Sequence, residues 1–204
     1  MRLNQIAVGA LALTPLPAFA HHPMGGMAPR SLWEGFASGI GHPVIGLDHL
    51  AFLLAAGVLA AGLARPAALR AVISFLLTGV AGVLLHLNAI EIGPVEMVVA
   101  ASALVAGAVL LLRGAKPISA TRLVPAGVAL AGLFHGHAFA EAVIGAEEAP
   151  ILAYLAGLTV IQGALMLGAM ALTQRLGAST WLRPAAGAFA SLAGLVFLIA
   201  QSLH

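Results

Sequence analysis

Two short runs in this chain carry side chains able to hold a metal ion. His42, Asp48 and His49 fall in His42-Pro43-Val44-Ile45-Gly46-Leu47-Asp48-His49. His135, His137 and Glu141 fall in Phe134-His135-Gly136-His137-Ala138-Phe139-Ala140-Glu141. His86 ends a further apolar stretch and Glu96 opens another. Imidazole nitrogen with carboxylate oxygen and no sulfur suits borderline divalent ions such as Ni2+, Co2+ and Zn2+. A nearby carboxylate also fixes the tautomer of a ligating imidazole. Cysteine is absent, which removes disulfides, thiolate metal sites and cysteine nucleophiles.

The elements that position these residues must live in lipid. Hydrophobic residues make up 61% of the 204, charged residues 8%, and mean hydropathy is +1.06. A soluble domain carries about 25% charged residues, so this chain could not cover a core in water. In a bilayer apolar side chains face outward at no cost. The pI near 9.9 does not imply nucleic acid as a partner, because the nine basic residues are scattered singly and form no patch.

The N-terminus reads as a cleavable signal peptide over residues 1–20. Arg2 supplies the positive end and Ile6 to Leu13 the apolar core. Pro15 and Pro17 break the helix, and Ala18-Phe19-Ala20 offers small residues at −3 and −1. The alternative, an uncleaved membrane helix, needs a longer apolar run. Residues 21–204 then form one all-α domain, a polytopic membrane helix bundle. Its six spans fall near 36–63, 71–87, 95–112, 123–144, 151–172 and 185–203. A cleaved signal puts the new N-terminus outside. The loops after the first, third and fifth spans should then face the cytoplasm, and they hold Arg65, Arg70, Arg113, Lys116, Arg122, Arg175 and Arg183. The opposite loops hold Glu91, Glu147 and Glu148 and no basic residue. That asymmetry follows the positive-inside rule and puts both ends of residues 21–204 on the outer side.

Direction gives each polar residue a depth. At about 1.5 Å per residue, His42 lies in the outer leaflet and Asp48 and His49 near the middle. His42 and His49 are one heptad apart and share a face of an ideal helix, although Pro43 and Gly46 should distort this turn and free backbone carbonyls. His137 and Glu141 are i,i+4 and share a face, whereas His135 points elsewhere unless Gly136 bends the helix. His86 and Glu96 sit near the outer surface, and Gln162 lies in the fifth span at comparable depth. Five spans thus place ionisable or polar groups in one half of the bilayer, where such groups usually mark an ion pathway.

Plainer readings exist for the single residues. His86 alone serves equally well as hydrogen-bonded helix glue, and Glu96 as a carboxylate at a helix N-terminus. Gln162 reads as structural. Glu147, Glu148 and His204 read as solvated, and the methionines in the spans as packing residues. The tail His21-His22-Pro23-Met24-Gly25-Gly26-Met27 fits either a metal-collecting segment or a simple leader.

At these residues the sequence resembles the HupE/UreJ family of bacterial nickel and cobalt permeases. His42-Pro43-x-x-Gly46-x-Asp48-His49 matches the first hallmark of that family, and Phe134-His135-Gly136-His137-Ala138 with Glu141 is similar to its second. Glu96 falls where members carry a glutamate at the start of a span. The resemblance covers nearly the whole chain. It departs at Phe139-Ala140, where the family carries His-Gly, and at Gln162, where a fifth-span histidine is expected.

The resemblance implies a secondary permease of the bacterial inner membrane, with both mature termini periplasmic. It would carry Ni2+ or Co2+ as its transported ion and need no tightly bound cofactor. His42, Asp48 and His49 would form a central site that His135, His137 and Glu141 complete, with His86 and Glu96 at the outer mouth. Partners would be the ion and the lipid bilayer, with a homo-oligomer and a link to nickel or cobalt enzyme maturation left open. Two other classes compete. An intramembrane metalloenzyme is disfavoured by the lack of a His-Glu-x-x-His motif and of any serine beside the histidines, Ser38 being the nearest to the first run. A metal-holding accessory protein for hydrogenase or urease assembly would bind the ion without moving it.

Overall fold

The computed structural model describes residues 27–114, 122–177 and 181–203. The expected signal peptide and its cleavage site, the His21/His22 tail, Lys116 and His204 lie outside the described residues. Every regular element among the described residues is helical. α1 (Leu32–Ile45) and α2 (Leu47–Ala60) come first, followed by α3 (Arg65–Leu87), α4 (Val95–Arg113) and α5 (Leu123–Phe139). A 3-10 turn (Ala140–Val143) extends α5, and α6 (Glu148–Leu176) and α7 (Leu182–Ser202) complete the chain. The last five helices, counting the turn with α5, are each long and apolar enough to cross a membrane.

The first expected span is not one helix. α1 and α2 meet at an angle of 79°, and the sequence supplies the cause. Pro43 lacks the N–H that an α-helix needs, and its ring crowds the carbonyl four residues back. Three residues later Gly46 leaves the helical region (φ −71°, ψ 99°). It ends one helix and starts the next. Its N–H donates to the His42 carbonyl at 3.0 Å and its carbonyl accepts from Leu50 N–H at 2.8 Å.

The bent pair still descends as one crossing. Gly35 lies against the Pro150 carbonyl near the start of α6, and Gly57 against Met166 and Ala169 well along the same helix. α1 and α2 together therefore follow α6 from one end of the bundle to the other. Counted so, the crossings number six.

α2 is the axis of the bundle. Eleven of its 14 residues are buried, and α3, α4, α5, α6 and α7 all pack on it. Around it the closest pairs are α1 with α6, α3 with α5, and α4 with α7. Small residues make these approaches possible, as expected where lipid leaves no hydrophobic drive between helices. A Cβ at Gly39 would fall on the Tyr154 carbonyl, at Gly136 on the Gly79 carbonyl, and at Gly194 beside the Ala100 carbonyl. The outward faces carry Leu77, Leu112, Leu130 and Leu192, all exposed and suited to lipid.

Charge divides the ends as the sequence anticipates. Arg65, Arg113, Arg122, Arg175 and Arg183 gather at one end, where the Arg183 guanidinium donates to the Gly114 carbonyl at 3.0 Å. Glu91, Glu147 and Glu148 lie at the other. Arg30 is the exception at the acidic end, and its backbone N–H donates to the Glu34 carboxylate at 2.6 Å. Trp33 and Trp181, both largely exposed, stand at opposite ends, as aromatic residues do at the two membrane interfaces.

Candidate ion path through the bundle

The break between α1 and α2 decides where Asp48 stands. Read along a continuous span it would lie mid-helix, but in the structure it occupies the first turn of α2. There a carboxylate meets the positive end of the helix dipole, and its Oδ1 accepts the His49 N–H at 2.9 Å. Asp48 is 1% exposed, so this local compensation is what makes the buried acid tolerable.

His42 and His49 flank the break and remain neighbours across it. Their rings stand edge to face with centroids 6.1 Å apart, so the bend preserves the shared face that their spacing predicts. His42 Nδ1 lies 2.9 Å from the Tyr154 hydroxyl, which donates to the Phe139 carbonyl at 2.7 Å. His49 Nδ1 lies 2.8 Å from His135 Nδ1, and His135 Nε2 lies 2.9 Å from Ser102 Oγ. Apolar rings enclose this group. Phe139 packs 4.2 Å from His49 and 4.9 Å from His42, centroid to centroid, and Phe52 packs 4.5 Å from His135.

A second group lies toward the acidic end. His86 Nδ1 is 3.0 Å from His137 Nδ1, and His137 Nε2 is 3.1 Å from the Ile90 carbonyl. His86, Glu91, Glu96, His137, Glu141 and Gln201 line one cavity of about 430 Å³.

The sequence puts His135, His137 and Glu141 together in the central site, and the structure divides them. α5 runs unbroken through Gly136, and residues two apart on a helix do not face the same way. His135 therefore turns to α2, while His137 turns to α3 and joins the outer cavity. Glu141, one turn beyond His137, shares that cavity with it, as their i,i+4 spacing anticipates. The Glu96 carboxyl of the outer group lies near enough to Asp48 and Glu141 for the three like charges to repel one another. Among the described residues no three histidines and acids converge closely enough to hold an ion as the side chains stand. Four of the five histidines instead bond to one another in two pairs, His49 with His135 and His86 with His137, while His42 bonds to Tyr154.

Gln162 is buried, and its amide nitrogen has no hydrogen-bond partner among the described residues. Glu147 and Glu148 are exposed. The statement that no serine stands beside the histidines holds along the sequence but fails in space, where Ser102 of α4 touches His135 of α5. Ser102 donates its hydroxyl proton to the Val99 carbonyl at 2.7 Å, and Ser38 has no hydrogen-bond partner among the described residues.

Sequence reasoning missed Tyr154, Ser102 and the Ile90 and Phe139 carbonyls. Tyr154 is the chain's single tyrosine and lies inside a span, which is a usable signal because a buried phenol seeks a partner. The carbonyls have no signal in side-chain identity.

Comparison with known proteins gives two findings. The sequence model of the family described as HupE / UreJ protein matches residues 9–197. Among curated proteins, the chain is 29% identical over 206 residues to Protein HupE of Rhizobium leguminosarum bv. viciae, across 98% of this chain and 100% of that relative. No solved structure matches.

Proposed function

The chain belongs to the HupE/UreJ family, and from that premise we propose that it is a secondary permease moving a divalent transition-metal ion, Ni2+ or Co2+, into the cytoplasm. One observation carries the reading. A cavity holding two histidines and three carboxylates (His86, His137, Glu91, Glu96 and Glu141) opens at the acidic end, and its Glu96 lies near enough to the buried Asp48, beside His42, His49 and His135, for the two like charges to repel. A hydrated dication is drawn to the acids at the mouth. It then exchanges waters for imidazole and carboxylate ligands, and Asp48 offsets part of the cost of dehydration.

The positive-inside rule assigns the basic end to the cytoplasm. The cavity then faces the periplasm of a bacterial inner membrane, as do both ends of residues 21–204. An inside-negative potential drives uptake by about 2.3 kcal/mol per charge per 100 mV, hence about twice that for a dication. Nickel or cobalt enzyme maturation in the cytoplasm is the process such uptake would feed.

Competition tests the proposal. Labelled Ni2+ uptake into proteoliposomes should be suppressed by unlabelled Ni2+ and Co2+ and unaffected by Mg2+ or Ca2+, which prefer oxygen ligands. Tight binding without accumulation would point instead to a metal-holding accessory protein.

A further inference from the structure

Each histidine on this path has a ring nitrogen in a hydrogen-bond chain that ends at a backbone carbonyl, which can only accept. A neutral imidazole carries a single N–H, so one engaged nitrogen decides the other. The carbonyl of Ile90 can only accept. His137 Nε2, 3.1 Å away, therefore carries the proton, and His137 Nδ1 is the acceptor. The Nδ1···Nδ1 contact of 3.0 Å then needs its proton from His86. His86 is protonated at Nδ1, and its basic lone pair lies on Nε2.

The inner group repeats this logic. Two oxygens 2.7 Å apart repel unless a proton lies between them, so the Ser102 hydroxyl donates to the Val99 carbonyl. His135 Nε2 must then donate to Ser102 Oγ, and His135 Nδ1 accepts from His49 Nδ1. The Tyr154 hydroxyl likewise spends its proton on the Phe139 carbonyl at 2.7 Å, so His42 Nδ1 donates to Tyr154. In both cases the basic lone pair falls on Nε2, of His49 and of His42.

We infer that His42, His49 and His86 present Nε2 as the ligating atom, and that Tyr154, Ser102, His135, His137 and the Ile90 carbonyl are positioning groups that hold those tautomers. The five histidines split into two classes that residue type cannot distinguish. Three carry the ion, and two stand behind them with Nδ1 occupied by a neighbouring ring. The arrangement is a polar backing of the kind that orients metal-ligating imidazoles, built here largely from other histidines. The identity of the bound ion rests on the transport reading, but the tautomers do not.

The test uses metal-free full-length protein in lipid nanodiscs, labelled with 15N-histidine, with each ring assigned by single His→Gln variants. Two-bond proton–nitrogen spectra report which nitrogen carries hydrogen. His42, His49 and His86 should show the Nδ1–H form, and His135 and His137 the Nε2–H form. Tyr154→Phe should release His42 alone into a mixture of forms, and Ser102→Ala should do the same to the His49–His135 pair alone. The opposite tautomer at His42 or His86 in the wild type overturns the assignment. So does a His42 spectrum unchanged in Tyr154→Phe. Titration of the same samples with Ni2+ separates this inference from the transport reading. Tyr154→Phe should weaken binding by about 10–100-fold, the usual effect of removing such a backing group. Correct tautomers with no Ni2+ or Co2+ binding would leave the assignment standing and remove the transport reading.

Discussion

Replacing Gly136 by alanine should pull the outer histidine pair apart. A Cβ there would land on the carbonyl oxygen, carbonyl carbon and Cα of Gly79. All three are backbone atoms, so no rotamer can relieve the overlap and α3 must retreat from α5. Overpacking of this kind costs about 1–3 kcal/mol. For a chain of this size each kcal/mol lowers the melting temperature by about 2–4 °C, so the expected fall is about 2–12 °C. α3 carries His86, which lies 3.0 Å from His137. A retreat of little more than half an ångström takes that pair past the distance, about 3.6 Å, at which it is no longer a hydrogen bond. Gly168→Ala is the control. Its Cβ meets nothing within 4 Å, and alanine is favoured over glycine in a helix interior by about 0.8–1.0 kcal/mol. Thermal unfolding of the purified proteins in one detergent, with Ni2+ uptake measured beside it, gives the comparison. A Gly136→Ala protein as stable as Gly168→Ala would refute the close α3–α5 contact and the geometry built on it.

Other expectations follow from the same contacts. Thr78→Val removes a hydroxyl 2.7 Å from the Ala129 carbonyl across the α3–α5 seam, and should cost about 1 kcal/mol in thermal or denaturant unfolding; an unchanged stability contradicts that bond. His86→Ala and Glu96→Gln alter the outer cavity while leaving Asp48 in place, so uptake should saturate at higher Ni2+ concentration than in the wild type; an unaltered concentration dependence argues against that mouth. Because the chain lacks cysteine, Glu91→Cys and Arg122→Cys each offer one thiol. A membrane-impermeant maleimide should label the first in intact cells, and the second only after permeabilisation.

Much of the fold was legible because lipid demands so much of composition. Apolar length and turn residues placed five of the spans to within a few residues at most ends. They missed the first helical turn or so of α3, α6 and α7, where Arg65, Glu148 and Arg183 continue the helix beyond the apolar core. The first span was legible only in its ingredients. Pro43 and Gly46 announce a distortion, but the 79° angle depends on how α1 lies on α6 while α2 enters the centre. The grouping of site residues was legible where helical spacing alone decides it, as for His137 with Glu141 and His42 with His49. It was not legible where a residue must choose between neighbours. His135 meets α2 and Ser102, and His137 meets α3 and the Ile90 carbonyl, because of helix positions that no single-span pattern contains.

The central claim is that Asp48 and the histidines around it carry a dication across the membrane. The most direct measurement is accumulation of labelled Ni2+ and Co2+ in proteoliposomes under an imposed inside-negative potential, wild type against Asp48→Ala. Asp48 is buried in the first turn of α2 with its Oδ1 bonded to the His49 backbone, and its charge is the compensation the account assigns to the ion. Wild-type vesicles should accumulate at least one of the two ions, and Asp48→Ala vesicles, matched for folded protein, should accumulate neither. Wild-type vesicles that take up neither ion, or an Asp48→Ala protein that transports as well as the wild type, would contradict it.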